Sequence, residues 1–249
     1  MKSVIIIPAR YASTRLPRKL LLCETGKPLI QHTYESALKA TLPVSVTVAC
    51  DHDELFNAVK RFGGSVQRTD PNAQSGTDRI AEVAAALDDV EIVVNVQGDE
   101  PNIAGTSIDL AIQMLLDNPG AVMSTLATPI RNRQQLEDSA CVKVVFDANG
   151  RALYFSRSVI PHPRGGIRDE HFSHSPPLFY QHIGLYAYRR EFLLRLSRLP
   201  QSETEKAESL EQLRVLHHGY SMMVGIIDEA TVGIDTPEDY RKFVERSRC

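Results

Sequence analysis

Three features are missing from this sequence, and each absence excludes a class of protein. There is no basic excess, since 28 Lys and Arg against 31 Asp and Glu give a net charge of −3, whereas nucleic-acid-binding proteins are usually basic. The four cysteines lie far apart and form no CxxC motif. No apolar run approaches a membrane span of roughly 20 residues or a signal segment of roughly 7–15. We therefore expect a cytoplasmic protein with reduced thiols that binds neither nucleic acid nor membrane.

What remains is the composition of an ordinary globular domain. Hydrophobic residues make up 43% and charged residues 24% of the 249 positions. This length fits one large α/β domain, and such a chain buries roughly three quarters of its unfolded surface. A site for an anionic ligand must therefore be a local cluster of basic residues.

Short β-branched runs alternate with amphipathic segments in the first hundred residues. The run Val4 to Ile7 is typical of a strand buried on both faces of a sheet. This order predicts one α/β domain, residues 1–249, built on a doubly wound, mostly parallel sheet that binds ligands at the carboxyl ends of its strands. The predicted strands are 4–7, 44–50, 65–68 and 91–96, and the predicted helices are 28–39, 53–62 and 77–87.

The middle of the chain follows another pattern. Predicted strands at 121–128, 141–146, 152–155 and 179–188 follow one another without full helices between them, which indicates a smaller mixed β subdomain at about 120–190. Residues 161–177, rich in proline and histidine, are interpreted as a mobile excursion. A helix at 208–218, a strand at 222–227 and a helix at 237–246 complete the chain.

Four cations directly follow the first predicted strand: Arg10, Arg15, Arg18 and Lys19. Guanidinium groups and a lysine are suited to phosphate oxygens, although the spacing is not that of a Walker loop. A solvated basic loop is the alternative. The position of the four cations directly after a buried strand favours a triphosphate site over that alternative.

Three further stretches carry candidate ligands. The segment from Gln74 to Arg79 opens a helix, where free N–H groups and Gly76 suit an anion or a base carbonyl; an ordinary helix cap is the alternative. Asp99 follows a buried strand and Asp235 precedes the last helix, so both could hold Mg²⁺. A solvated turn and a helix cap are the respective alternatives.

A second group could bind a polar substrate. Arg157 at a strand end suits a carboxylate, and Glu211 and Gln212 could bind hydroxyl groups. A surface ion pair and a polar helix face are the alternatives, and a lone histidine such as His182 is more often structural. The basic loop, the helix N-terminus and the two acids together are the set that phosphoryl-type transfer to a nucleotide needs.

The sequence resembles the 3-deoxy-manno-octulosonate (KDO) cytidylyltransferases, also called CMP-KDO synthetases. The resemblance covers nearly the whole chain, in family order. The stretches that carry it are IPARYASTRLPRK (7–19), QSGTDRIAE (74–82), VNVQGDEP (94–101), VKVVFDANGRALYFSRSVIP (142–161), LEQLRVL (210–216) and GIDTPED (233–239).

The resemblance implies an enzyme that converts CTP and KDO, an eight-carbon acid sugar, to CMP-KDO and pyrophosphate for lipopolysaccharide assembly. The sugar 2-hydroxyl attacks the α-phosphorus with Mg²⁺ assistance. The family is usually homodimeric, and the resemblance places the β insertion at the sugar side and the dimer interface.

The resemblance also assigns roles to individual residues. The catalytic set is Arg10, Arg15, Lys19, Asp99 and Asp235, of which Asp99 and Asp235 are the metal ligands. The nucleotide set is Ala9, Arg10, Ser13, Arg15, Lys19, Gln74, Ser75, Gly76, Arg79 and Gln97. The sugar set is Arg157, His182, Tyr186, Glu211 and Gln212.

Two departures from the family pattern bear on the site. Arg18 stands where relatives usually have glycine, a residue that tolerates positive φ; the loop could fold differently, or Arg18 could contact phosphate or solvent. The excursion at 161–177 is expected near the sugar side, which keeps an 8-amino-KDO or a sialic-type sugar open as the substrate. A nucleotide-sugar glycosyltransferase and an inactive nucleotide-binding regulator are competing interpretations from different functional classes.

Overall fold

The central sheet consists of the segments that the apolar runs predict. A computed structural model describes residues 1–229 and 233–247. Its first strand is buried at all seven positions. The described strands are β1 (Ser3–Ala9), β2 (Val46–Cys50), β3 (Val66–Arg68), β4 (Ile92–Asn95), β5 (Met123–Pro129), β6 (Lys143–Phe146), β7 (Ala152–Ser156), β8 (Tyr180–Arg189) and β9 (Met222–Ile226).

The strand order confirms the prediction of a mostly parallel α/β sheet. The order is β3-β2-β1-β4-β8-β5-β9. β1 pairs in parallel with β2 and β4, β2 with β3, and β5 with β9, whereas β8 is antiparallel to β4 and β5. The predicted subdomain at 120–190 thus contributes β5 and β8 to the main sheet. Its β6–β7 hairpin branches from β8 through the pairing of Lys143 with Gln181.

Helices cover both faces of the sheet. The patterns do not predict the four helices at Gly105–Asp117, Arg133–Glu137, Arg190–Leu196 and Glu203–Glu208. The predicted helix at 208–218 is interrupted at its start, because Ser209 adopts a φ of 52°. The described helices are α1 (Leu29–Ala37), α2 (Asp53–Arg61), α3 (Gly76–Ala85), α4 (Gly105–Asp117), α5 (Arg133–Glu137), α6 (Arg190–Leu196), α7 (Glu203–Glu208), α8 (Gln212–His217) and α9 (Pro237–Ser247).

Alternate residues of β1 enter two separate hydrophobic cores. Ile5 and Ile7 pack among side chains of α1, α2, α4 and α9, whereas Val4 and Ile6 pack with α3, α6 and α8. This is the two-residue period of a strand with both faces covered, and each buried isoleucine contributes about 1.5–3 kcal/mol. Within the described ranges, no helix has the length and apolar character needed to cross a membrane.

The excursion at 161–177 packs against α5. Arg133 donates a hydrogen bond of 2.7 Å to the carbonyl oxygen of Ile167, and the ring of Phe172 lies 6.0 Å from that of Phe179. Together with Ile130 these contacts form a third, smaller apolar cluster. The contacts join the excursion to the edge formed by α5 and the start of β8.

Candidate active site

A cavity of about 570 Å³ opens at the carboxyl ends of β1 and β4, beside the N-terminus of α3. Gly98 lies beneath it, and a Cβ atom there would be 3.1 Å from the carbonyl oxygen of Pro8. A larger residue would therefore need the neighbouring backbone to shift by a few tenths of an ångström. The cavity brings together ten residues that the sequence singles out: Arg10, Ser13, Arg15, Lys19, Gln74, Ser75, Gly76, Gln97, Asp99 and Asp235.

Opposite charges meet at the floor of this cavity. The Nζ atom of Lys19 lies 2.5 Å from Asp99 Oδ2 and 3.0 Å from Asp235 Oδ1. A guanidinium nitrogen of Arg15 lies 3.0 Å from the same oxygen of Asp235. The Lys19 side chain is only 11% exposed. Two carboxylates from distant parts of the chain therefore share one ammonium group.

The two carboxylates suit a divalent cation. Both contact the same ammonium group, and both are hard oxygen donors of the kind that Mg²⁺ prefers. In residues 1–229 and 233–247 no cluster of three or more His, Cys, Asp and Glu side chains is placed to hold a metal. A Mg²⁺ ion held by Asp99 and Asp235 would therefore complete its coordination with phosphate oxygens and water, its usual mode in nucleotide sites.

The N-terminus of α3 forms one wall of the cavity. The Ser75 hydroxyl accepts a hydrogen bond of 3.0 Å from the Asp78 backbone N–H, and Asp78 accepts one of 3.1 Å from the Ser75 backbone N–H. This capping box commits the Ser75 side chain to the helix. At Gly76 an added Cβ would approach nothing nearer than 3.5 Å, so the fold does not require glycine there, and the missing side chain leaves room for a ligand.

Two residues of the predicted nucleotide set lie outside the cavity lining. Ala9 is a buried residue at the end of β1. The side chain of Arg79 is 1% exposed and donates hydrogen bonds to Thr69 Oγ1, the Asp70 carbonyl oxygen and Asp51 Oδ2. These contacts tie α3 to the ends of β2 and β3. The role of Arg79 beside the cytidine stays a prediction.

Arg18 keeps the backbone conformation that glycine favours. Its φ and ψ are 52° and 30°, in the left-handed region. Its side chain does not line the cavity and instead reaches Tyr11 and Glu54. Arg18 thus adopts the backbone conformation that glycine favours, and its guanidinium contacts Tyr11 and Glu54 outside the cavity lining.

Four residues of the predicted sugar set lie in one neighbourhood. The ring of Tyr186 is 5.4 Å from that of His182, and its hydroxyl donates to Gln212 Oε1 at 3.3 Å. Glu211 Oε2 accepts a 2.6 Å hydrogen bond from the Thr77 hydroxyl on the first turn of α3. The Nε2 atom of Gln212 is buried and has no hydrogen-bond partner among residues 1–229 and 233–247.

Burial makes this neighbourhood favour neutral side chains. It lowers the pKa of the His182 imidazole to about 3. Burial and the nearby charge of Glu211 raise the pKa of the Tyr186 hydroxyl above its usual 10. Burial also raises the pKa of the Glu211 carboxyl. A neutral imidazole, a phenol and an amide can together donate and accept hydrogen bonds to a polar ligand.

The fifth residue of the sugar set is held elsewhere. The Nε atom of Arg157 donates to the Glu208 carbonyl oxygen at 2.7 Å, and a terminal nitrogen donates to the Ser139 carbonyl oxygen at 3.1 Å. Its backbone N–H bonds the Glu208 carboxylate. These contacts fasten β7 to the end of α7, and the role of Arg157 as a carboxylate ligand stays a prediction.

Sequence reasoning missed two residues that shape the site. Gly98 lies close to the backbone of Pro8, with little room for a side chain. Its position directly before Asp99 was the signal that could have revealed it. Thr77 links α3 to Glu211, a contact between residues 134 positions apart. No local pattern could have revealed that second contact.

The chain is similar to known proteins over nearly its whole length. The model of a family described as cytidylyltransferases matches residues 4–224. The 3-deoxy-manno-octulosonate cytidylyltransferase of Rhodopirellula baltica is 48% identical, covering 99% of this chain and 98% of that protein. The enzyme of the same name from Geotalea daltonii is also 48% identical, with the same coverage.

Solved structures show the same fold. A CMP:2-keto-3-deoxy-manno-octonic acid synthetase complexed with CTP superimposes with a TM-score of 0.91 and 40% identity, covering 100% of this chain and 99% of that one. A 4-diphosphocytidyl-2C-methyl-D-erythritol synthase from Anaerococcus prevotii, at a TM-score of 0.63 and 13% identity, shares the fold. This chain belongs to the 3-deoxy-manno-octulosonate cytidylyltransferase family.

Proposed function

We propose that this chain transfers the cytidylyl group of CTP to KDO, giving CMP-KDO and pyrophosphate for lipopolysaccharide assembly. The observation that carries the proposal is the cavity at the strand ends, where Arg10, Arg15 and Lys19 meet Asp99 and Asp235. Full-length similarity to a synthetase complexed with CTP supports this assignment.

The loop cations bind the triphosphate in this proposal. Arg15 and Lys19 now contact carboxylates, and they turn to phosphate oxygens when the nucleotide enters. Arg10 is exposed and makes one long hydrogen bond of 3.4 Å, to the Ala73 carbonyl oxygen, so little opposes its rotation. Asp99 and Asp235 would hold Mg²⁺, which would neutralise charge on the phosphates and help to align them.

The chemical step is an in-line displacement. The oxygen of the sugar 2-hydroxyl forms a bond to the α-phosphorus and releases its proton to solvent. The bond from the α-phosphorus to the oxygen that bridges it to the β-phosphorus breaks, and pyrophosphate leaves with that electron pair. Once they have turned to the phosphates, Arg15 and Lys19 stabilise the charge that builds up on the leaving group.

The neighbourhood of His182, Tyr186, Glu211 and Gln212 binds the sugar hydroxyls in this proposal. The support is the Gln212 Nε2 atom, which is buried without a partner in the described part of the chain and which a hydroxyl oxygen would satisfy. For Arg157 to bind the sugar carboxylate, its guanidinium would exchange two backbone carbonyl partners for a charged one.

A homodimer and a cytoplasmic location are also proposed. The β6–β7 hairpin, which pairs with β8, exposes Leu153 and Tyr154, at 57% and 36%. Neighbouring exposed apolar side chains of this kind are suited to a contact surface. The second copy would cover this hairpin.

The test is a pyrophosphate-release assay with CTP, Mg²⁺ and one sugar at a time. We expect release with KDO, none without sugar, and a product with the mass of CMP-KDO. Turnover of a sialic acid without turnover of KDO would contradict the proposed substrate. A glycosidic product, or no turnover with any sugar, would contradict nucleotidyl transfer. KDO and 8-amino-KDO are compared by their values of kcat/KM.

A further inference from the structure

A set of contacts outside the cavity fastens the basic loop to the start of α2. The Tyr11 backbone N–H donates to Asp51 Oδ1 at 2.9 Å, and its hydroxyl donates to Glu54 Oε1 at 2.8 Å. The Tyr11 ring stacks on His52, with centroids 3.8 Å apart and planes 12° apart. One end of the loop is thus held through backbone, hydroxyl and ring at once.

Arg18 holds the other end of the same loop. Its guanidinium carbon lies 5.3 Å from the centroid of the Tyr11 ring, within the range of a cation–π contact. One of its nitrogens lies 3.7 Å from Glu54 Oε2. Glu54 therefore receives both the Tyr11 hydroxyl and the Arg18 charge. We name Tyr11, Arg18, His52 and Glu54 the loop clasp.

The loop clasp is anchored in the core of the domain. Asp51, which accepts the Tyr11 N–H, also accepts a hydrogen bond of 3.3 Å from the buried guanidinium of Arg79. Arg18 contributes despite a left-handed backbone that glycine would adopt with less strain. A strained residue that keeps a large side chain points to a role for that side chain.

We propose that Arg18, Tyr11 and Glu54 are positioning residues, which hold the basic loop in its nucleotide-binding conformation. The inference rests on the proposed function. Neither Tyr11, Arg18 nor Glu54 lines the cavity, so they act through the loop cations between and beside them. Fastening both ends of a loop reduces the conformational entropy that the loop loses when ligand binds. The loop clasp therefore increases the affinity for CTP and has little effect on the rate of the chemical step.

The principal variant is R18G, which restores the glycine of the family pattern and removes the guanidinium. We expect the KM for CTP to rise about 3–10-fold, while kcat and the KM for KDO change less than about twofold. The melting temperature should move by less than about 3 °C, because relief of the left-handed strain offsets the lost exposed ion pair. R18K should recover part of the CTP affinity, since it keeps the charge without the planar stack.

A second variant and a control accompany it. E54Q keeps the size of the side chain and removes the charge that faces Arg18, and we expect it also to raise the KM for CTP. The double variant R18G/E54Q should be no weaker in CTP binding than R18G, because the two side chains act as a pair. R61A removes an exposed arginine at the end of α2 and should change neither constant.

Calorimetric titration of CTP with Mg²⁺ completes the test. Equal CTP affinity of wild type, R18G and E54Q would overturn this inference alone. If kcat and the melting temperature fall while the KM values for CTP and KDO both rise, the three residues have a general structural role. That result would also overturn the inference. If the wild-type protein does not bind CTP, the proposed function fails, and the inference fails with it.

Discussion

The sharpest prediction concerns the variant K19M, which removes the ammonium group that Asp99 and Asp235 share. Methionine has a similar length and no charge, so it removes the ammonium that Asp99 and Asp235 share and leaves the contact of Arg15 with Asp235. The loss of one partner from a buried pair costs about 3–5 kcal/mol. Here the two carboxylates are 27% and 44% exposed, so water recovers much of that energy.

We therefore expect K19M to lower the free energy of unfolding by about 1–2 kcal/mol. For a chain of this size that is a fall in melting temperature of about 2–8 °C. Added Mg²⁺ should restore at least half of the fall, because it can occupy the position between the carboxylates that the ammonium now fills. The kcat/KM for CTP should fall about 100–1,000-fold, the usual cost of removing one charge-stabilising group.

Thermal unfolding with increasing Mg²⁺, without nucleotide, is the assay. The matched control is K27M, since Lys27 pairs with Glu35 at 2.8 Å on the exposed surface; it should move the melting temperature by less than about 2 °C and respond to Mg²⁺ as wild type does. If K19M is as stable as wild type in the absence of metal, and Mg²⁺ stabilises both proteins equally, the reasoning is refuted.

Three further predictions concern stability and assembly. R214M should lower the free energy of unfolding by about 3 kcal/mol, because it leaves the buried Glu205 carboxylate without the guanidinium that now contacts it at 2.5 and 2.9 Å. An unchanged midpoint of urea unfolding would contradict this. Burial lowers the pKa of His182 to about 3, so the unfolded chain binds the extra proton below pH 6.5, and stability falls as pH falls from about 6.5 towards 3. H182Q should remove this part of the pH dependence of the unfolding free energy. It amounts to at most about 2 kcal/mol at pH 5, because the ring keeps some exposure. Equal pH profiles of stability for wild type and H182Q would contradict this prediction. L153E should shift a dimer to a monomer in light scattering, and the equally exposed control L38E should not.

The periodic patterns were sufficient to predict the first half of the sheet. Runs such as Val4 to Ile7 are buried on both faces because helices cover both sides, and that environment leaves an apolar signature in the sequence itself. The longest helix before β5, α4, was not predicted, although Ile108, Ile112 and Leu115 are buried at helical spacing. The β-rich subdomain predicted at about 120–190 contains β5 and β8, which pair within the main sheet.

By itself, the sequence determined the family, the strand ends at which the ligand residues stand, and the identity of the loop cations. These are local properties, since a motif or a short apolar run is read from neighbouring positions. The tertiary structure decided which charges meet. Lys19 contacts carboxylates 80 and 216 positions away, and Arg18 turns to Glu54 and away from the cavity. Such pairings depend on strand register and helix packing, which bring together side chains that no spacing in the sequence relates.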